Sequence, residues 1–396
     1  MNNKEKYNAR LKRFKDVIAL KEPDAVPCVP VCNTYYVSHA GYTMADILYS
    51  VSKAKDAALK YMKDYEPDLA ITIGTLHAGT GPIKEKLENK WLQWAGQPGS
   101  SIDVNSIHQY IEKPYMKEDE YPEFLGDMTG WMLKKFLPQG YGLMEPLKKL
   151  DFYNMRGMDI SFQCIQFADP EVRRSLKILG EVGEAAKAIL DEYADLDRQM
   201  TELGFPLQFP AIANAPFDQL SDNLRGTLDV MTDMYEQPEN VLAAVEKFLP
   251  RTISDVTDVL KPSPDATNLV FMPLHKGMDG FMSDEHYRKF YWDTLLKVVN
   301  GFIDAGLTPW IYTEGKYDSR VECLMDVPKG KAYIHFEEAD MSRVKKLLGN
   351  VACLSGGISS SMLVYDTKEQ VIEKIKRHMD ILAPGGGFIF DLGDTI

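Results

Sequence analysis

The strongest constraint on this chain is a rhythm, in which short apolar runs alternate with helical stretches, most regularly beyond residue 205. Residues 209–214 have strand character and lead into helices near 223–235 and 238–259. The pattern repeats as strand 268–275 with helix 283–305, strand 308–313 with helix 318–325, strand 331–336 with helix 340–348, and strand 351–355 with helix 366–382. A last run, 387–392, follows. Two earlier runs, 26–33 and 68–74, complete a set of eight, with a helix over 52–65 entering the second. The spacing of Leu11, Phe14, Val17 and Ile18 predicts an amino-terminal helix over 7–20. Apolar runs separated by helices form parallel strands covered on both faces, and eight such units predict an α/β fold, a (β/α)8 TIM barrel. An open doubly wound sheet is the structural rival. It would carry a glycine fingerprint after its first strand, where Asn33-Thr-Tyr-Tyr36 offers none.

The whole chain, 1–396, is expected to form one domain, with residues 1–25 as its amino-terminal helical segment. Residues 83–165 are irregular and too long for a simple connection, which predicts an excursion inserted in the first half, a lid over the barrel mouth. Residues 171–203 predict a long helix, broken near Gly180 and Gly183. No helix follows 387–392, so the amino-terminal helix or a second subunit of a homo-oligomer is expected to cover that position.

With 45% hydrophobic residues in 396, the core needs no disulfides or metal. The 58 acidic residues outnumber the 45 lysines and arginines, and a net charge of -13 works against binding nucleic acid. Five cysteines, an odd number with no C-x-x-C pair, argue against a disulfide framework. The polar first sixteen residues make no signal peptide, and no apolar run approaches the roughly 18 residues a membrane span needs. A cytoplasmic protein without membrane contact is the expectation.

Residues 224–240 (Leu-Arg-Gly-Thr-Leu-Asp-Val-Met-Thr-Asp-Met-Tyr-Glu-Gln-Pro-Glu-Asn), residues 340–358 and the late Gly385-Gly-Gly-Phe-Ile389 resemble the uroporphyrinogen decarboxylase superfamily. The likeness covers 205–396 well and the first half loosely. That superfamily holds decarboxylases and cobalamin-dependent methyltransferases, among them coenzyme M methyltransferases and the methyltransferase components of O-demethylases and methylamine systems. The decarboxylases carry an Arg-Gln-Ala-Gly-Arg stretch after the first strand and an aspartate after the second. Here residues 32–41 contain no arginine and residues 72–79 no acid, although a tetrapyrrole with many carboxylates needs cationic clamps. The zinc-dependent members use a His-x-Cys pair where this chain has Tyr312 and Glu314, while Cys353 matches a later ligand. Zinc therefore stays open, with His275, Glu314 and Cys353 as candidate ligands. The resemblance implies an O-demethylase-like methyltransferase acting between a small methyl ether or methylamine and cobalamin. The chain lacks an Asp-x-His-x-x-Gly motif, so a separate corrinoid protein would bring the cobalamin. A decarboxylase and a catalytically silent barrel that serves as a binding partner are the alternatives.

Methyl displacement from an ether or amine has a poor leaving group, so the chemistry needs a proton donor or a metal beside it. In a barrel such groups stand past the carboxyl ends of strands. Glu314 follows an apolar strand, where desolvation should raise its pKa and suit it to proton donation. His275 ends its strand before a flexible turn and is a candidate acid or metal ligand, or a hydrogen-bonded rim residue. Asp279 in that turn is a catalytic candidate, or a turn former. Tyr317 and Arg320 are candidate substrate contacts, with a helix-start salt bridge as the other reading of Arg320. Period-two alternation puts His335 and Glu337 on one face, both candidate substrate contacts, and Phe336 and Glu338 on the other. His77, Asn33 and Tyr36 are weaker candidates from the amino-terminal loops. Cys353 is a soft ligand or simply core, and Met278 and Met282 suggest an apolar rim for a docking partner.

Overall fold

The computed structural model describes residues 1–152 and 160–396, so residues 153–159 of the expected excursion lie outside the described residues. Strands β1 (Leu92–Gln93) and β2 (Gln109–Tyr110) form a short antiparallel ribbon. The main sheet is parallel and runs in chain order through β3 (Ala211–Ile212), β4 (Leu269–Leu274), β5 (Thr308–Lys316), β6 (Tyr333–Glu338) and β7 (Cys353–Gly356). Its register aligns Phe271, Trp310, Tyr333 and Cys353 at one level and Pro273, Tyr312, His335 and Ser355 at the next.

The other three apolar runs continue the sheet through single parallel bridges, Leu354 to Phe388, Cys28 to Phe390 and Ala70 to Leu207. Backbone bonds support each link: Ile389 N–H donates to Leu354 O (2.9 Å), Phe390 N–H to Pro27 O (2.8 Å) and Gln208 N–H to Ala70 O (3.1 Å), while Asp68 N–H donates to Cys28 O (2.9 Å) between the first two runs. The eight runs follow one another as in a TIM barrel, yet the regular sheet spans five strands and stays open. Prolines account for the weak sector. Pro27 and Pro30 lie in the first of these runs, and Pro206 and Pro210 stand on either side of the bridge at Leu207; each removes an N–H that a ladder would use.

Alternation decides what each strand buries. Leu269, Trp310, Tyr312, Tyr333 and Cys353 form the inner core with Val29, Leu69 and Ile389, while Val270, Met272, Ile311, Ile334 and Phe336 pack outward against the helices. The helix Asn3–Ile18 contributes Phe14, Val17 and Ile18 to the inner core, plugging the amino-terminal end of the barrel. Its start is secured by a capping box between Asn2 and Glu5.

The helix Pro170–Glu202 runs unbroken for 33 residues, against the expected break at Gly180 and Gly183. A Cβ at either glycine would meet nothing within 4 Å, so both lie on an open face. Each costs about 1 kcal/mol of helix propensity, which packing of Val172, Leu196 and Met200 outweighs. The irregular stretch beyond residue 83 is tightly seated, with Tyr115, Tyr121, Phe124, Trp131 and Phe136 in the main core. Tyr121 OH donates to Asp233 (2.7 Å), which also holds Arg225 through its Nε (2.5 Å) and Nη2 (3.0 Å). Among the described residues no helix is long and apolar enough to cross a membrane.

Candidate active site

The carboxyl ends of β4 and β5 stand side by side, with Leu274 opposite Thr313, so the next residues, His275 and Glu314, emerge together. His275 Nε2 lies 3.9 Å from Glu314 Oε1, and the two side chains keep 38% and 43% of their surface open to solvent. That separation is too long for a hydrogen bond and short enough for one heteroatom to contact both. On its other side His275 Nδ1 meets Asp222 Oδ2 at 2.6 Å, while Lys276 Nζ reaches Asp222 Oδ1 at 3.3 Å.

Asp222 comes from the helical segment after β3. The helix Pro216–Leu220 passes into a wider turn, Ser221–Arg225, so Asp218 and Asp222 project towards β4 from neighbouring turns. Asp218, 1% exposed, accepts the backbone N–H of His275 (2.9 Å) and of Lys276 (3.1 Å) and the hydroxyl of Tyr291 (2.8 Å). One carboxylate therefore fixes the turn that carries the imidazole, and the other orients and charges it.

The electrostatics follow from this packing. Burial alone would lower the pKa of His275, but the hydrogen bond it donates to Asp222 and the charges of Asp218 and Glu314 outweigh it and raise it to about 9. Burial, reinforced by the Asp222 charge, pushes Asp218 up to about 7. Burial also tends to raise Asp222, yet its bonds to His275 and Lys276 hold it below the usual carboxylate range. Glu314 is raised, chiefly by burial and then by Asp222, against the opposing pull of His275.

A bulge in β5 between Thr313 and Lys316 shapes the rest of the mouth. Gly315 takes φ +76°, where a Cβ would stand 2.8 Å from Met278 Sδ, and its N–H donates to Glu337 Oε2 at 2.6 Å. Burial raises the pKa of Glu337, aided by its hydrogen bond with Asp394, which in turn accepts from Ser360 N (3.0 Å) and Oγ (2.5 Å). Beneath lies a closed floor. His335 stacks on Tyr312 at 4.0 Å, its Nε2–H donates to Gly393 O (2.9 Å), and its Nδ1 meets Ser355 Oγ (2.9 Å) and Asp391 (3.2 Å).

Residues 167–396, which supply every group of this mouth, match the family model described as uroporphyrinogen decarboxylase (URO-D). The chain belongs to that family. Among solved structures it is similar to a methyltransferase from Methanosarcina mazei, with a TM-score of 0.59 and 13% identity, over 98% of this chain and 93% of that one. At that identity the likeness establishes a shared fold. No curated protein matches the chain.

Within this URO-D barrel several expected contacts take other places. Tyr317 is fully buried in the main core and Arg320 is 1% exposed, so neither is available to a substrate. The Arg320 guanidinium instead binds Gly277 O (3.2 Å), Met282 O (2.6 Å) and Asp284, tying down the loop after β4. Asp279 accepts the Ser319 hydroxyl (2.7 Å) and backbone N–H (3.1 Å), so it pins that loop and does not face the reacting groups. His335 shares a face with Glu337 as expected, but it is fully buried in the floor, and only Glu337 reaches the mouth. Met282 is buried as well, which leaves Met278, packed under Gly315, as the only part of the expected methionine rim. Asn33 donates its backbone N–H to Ile396 O (2.6 Å), and Tyr36 is buried in a second core cluster. His77 stacks on His108 and forms no hydrogen bond, ion pair or ring contact with His275 or Glu314 among the described residues.

The zinc expectation does not fit these residues. Cys353 is level with Trp310, four positions below Glu314, or roughly 13 Å along the strand at about 3.3 Å per residue. It is fully buried, and burial lifts its thiol well above the ordinary range. Among the described residues no three His, Cys, Asp or Glu side chains gather to hold a metal. Asp218, Asp222, Lys276 and Asp394 were absent from the sequence-based candidates. An Asp-x-x-x-Asp spacing just past a barrel strand was the available signal for the first two.

Proposed function

We propose that this URO-D family protein is a methyltransferase that takes a methyl group from a small methyl ether or methylamine and passes it to a corrinoid carried by a separate protein. The observation that carries this reading is the 3.9 Å opening between His275 Nε2 and Glu314 Oε1. An ether oxygen or amine nitrogen placed there lies against an imidazolium that is protonated at neutral pH, because its pKa stands near 9. Asp222 occupies Nδ1, so the proton offered to the leaving group is the one on Nε2. As the bond between methyl carbon and heteroatom breaks, its electron pair stays on the heteroatom, which takes that proton. Asp218 keeps the imidazole in place throughout. The cobalt(I) corrinoid, a co-substrate here, supplies the electron pair for the new bond to carbon. The likeness of fold to the Methanosarcina mazei methyltransferase supports the reading. The acidic mouth (Asp222, Glu314, Glu337 and Asp394) speaks against a decarboxylase for a polycarboxylate, which would meet like charge.

The test is direct. The purified chain, a reduced corrinoid protein and a panel of methyl ethers, methylamines, betaines and methyl thiols are mixed, and the corrinoid spectrum is followed. Formation of the methylated corrinoid with an ether or amine supports the reading. An unchanged spectrum across the whole panel, while carbon dioxide is released from an acidic substrate, defeats it.

A further inference from the structure

A second polar cluster belongs to the amino-terminal half. His77 sits in the turn after the 68–74 run, at φ +56°, and its ring stacks on that of His108 with centroids 4.3 Å apart and planes 11° apart. His108 precedes β2 and packs edge-on against Tyr110 at 5.6 Å. Two residues past Tyr110, Glu112 accepts the backbone N–H of Thr227 (2.5 Å), so this segment runs beside the one that carries Asp222, whose charge Tyr110 feels. Lys84, on the helix Gly81–Lys86, acts on both imidazoles and lies 5.7 Å over the Trp94 ring.

Lys84 is 6% exposed, and its Nζ has no hydrogen-bond partner among the described residues. Burial lowers its pKa to about 8, which still leaves it charged at neutral pH. Burial, then the groups beside it (His108 and Lys84), lowers His77 to about 3, and burial, then the Lys84 charge, lowers His108 to about 4, so each ring is neutral and offers one N–H. Among the described residues no carboxylate is one of the groups acting on any of the three. An unpaired buried ammonium costs stability, and a fold keeps one where a ligand supplies the missing charge.

We infer that Lys84, His77 and His108 form an anion subsite that holds a carboxylate carried by the methyl donor. One positive charge with two neutral donors matches a monoanion, whereas a phosphate dianion calls for guanidinium groups or a backbone nest. The inference rests on the methyl-transfer reading for the identity of the ligand. It assigns donors such as methoxylated aromatic acids or N-methyl amino acids in preference to neutral ethers.

Binding can be read without corrinoid or turnover, from the imidazole signals of the full-length protein in NMR titrations with benzoate, benzyl alcohol and inorganic phosphate. Benzoate should shift the His77 and His108 signals saturably, and benzyl alcohol should leave them in place. Lys84→Met keeps the apolar stem and removes the charge. It should weaken benzoate binding by about tenfold or more while the melting temperature holds or rises, the reverse of what a structural ion would give. His108→Phe preserves the ring stack, removes a donor, and should also weaken binding. Unmoved imidazole signals, wild-type affinity in Lys84→Met, or a response to phosphate but not benzoate would overturn the subsite. Failure of methyl transfer leaves these measurements standing, so the two readings fail separately.

Discussion

Replacing Asp222 by asparagine isolates the charge that makes His275 an acid. The amide keeps an oxygen to accept from Nδ1–H at the 2.6 Å position, so the geometry survives while the negative charge is lost. A rise from 6.5 to about 9 would correspond to about 3 kcal/mol in favour of the imidazolium. Because 38% of the side chain is open to solvent, screening reduces this to about 1–2 kcal/mol, shared among Asp222, Asp218 and Glu314. Loss of Asp222 should therefore lower the His275 midpoint by about one pH unit, read from imidazole nitrogen shifts during a pH titration. The sign for stability follows from a folded pKa above the unfolded one. The contribution is fully present below pH 6.5 and fades as pH rises through about 9. In Asp222→Asn that window should narrow, and the alkaline limb of kcat/KM should move down in pH with the midpoint. A His275 midpoint unchanged in a folded Asp222→Asn variant would refute the reasoning.

Two further outcomes are expected. Glu314→Gln removes a carboxylate whose charge helps keep His275 protonated, so the His275 midpoint should fall and kcat at alkaline pH should drop with it, with little change in thermal stability, measured in the corrinoid assay and by calorimetry. Asp233→Ala takes from the buried Arg225 its closest carboxylate and from the Tyr121 hydroxyl its acceptor, and should cost about 3–5 kcal/mol in urea unfolding.

Some of this site was legible in the residues. His275 and Glu314 end consecutive strands, and neighbouring parallel strands bring equivalent ends together, so their approach follows from the rhythm alone. The alternation of His335 and Phe336 was equally readable. Depth was not. Nothing local distinguishes Cys353, at the level of Trp310, from a residue at the mouth, because height in a barrel depends on the stagger between strands. Tyr317 and Arg320 follow Glu314 on the chain, but β5 has ended and the next turn carries them into the core.

The order of apolar and helical segments determined that this chain makes parallel α/β units, and which strand ends face the mouth, because strand and helix periods are set by local sterics. Only the tertiary structure decided the protonation of His275, since Asp218 and Asp222 reach it from a helix more than fifty residues away. It likewise decided that Lys84 is buried with no hydrogen-bond partner for its ammonium among the described residues. Charges act through space, and the distances they act across exist only once the chain has closed around them.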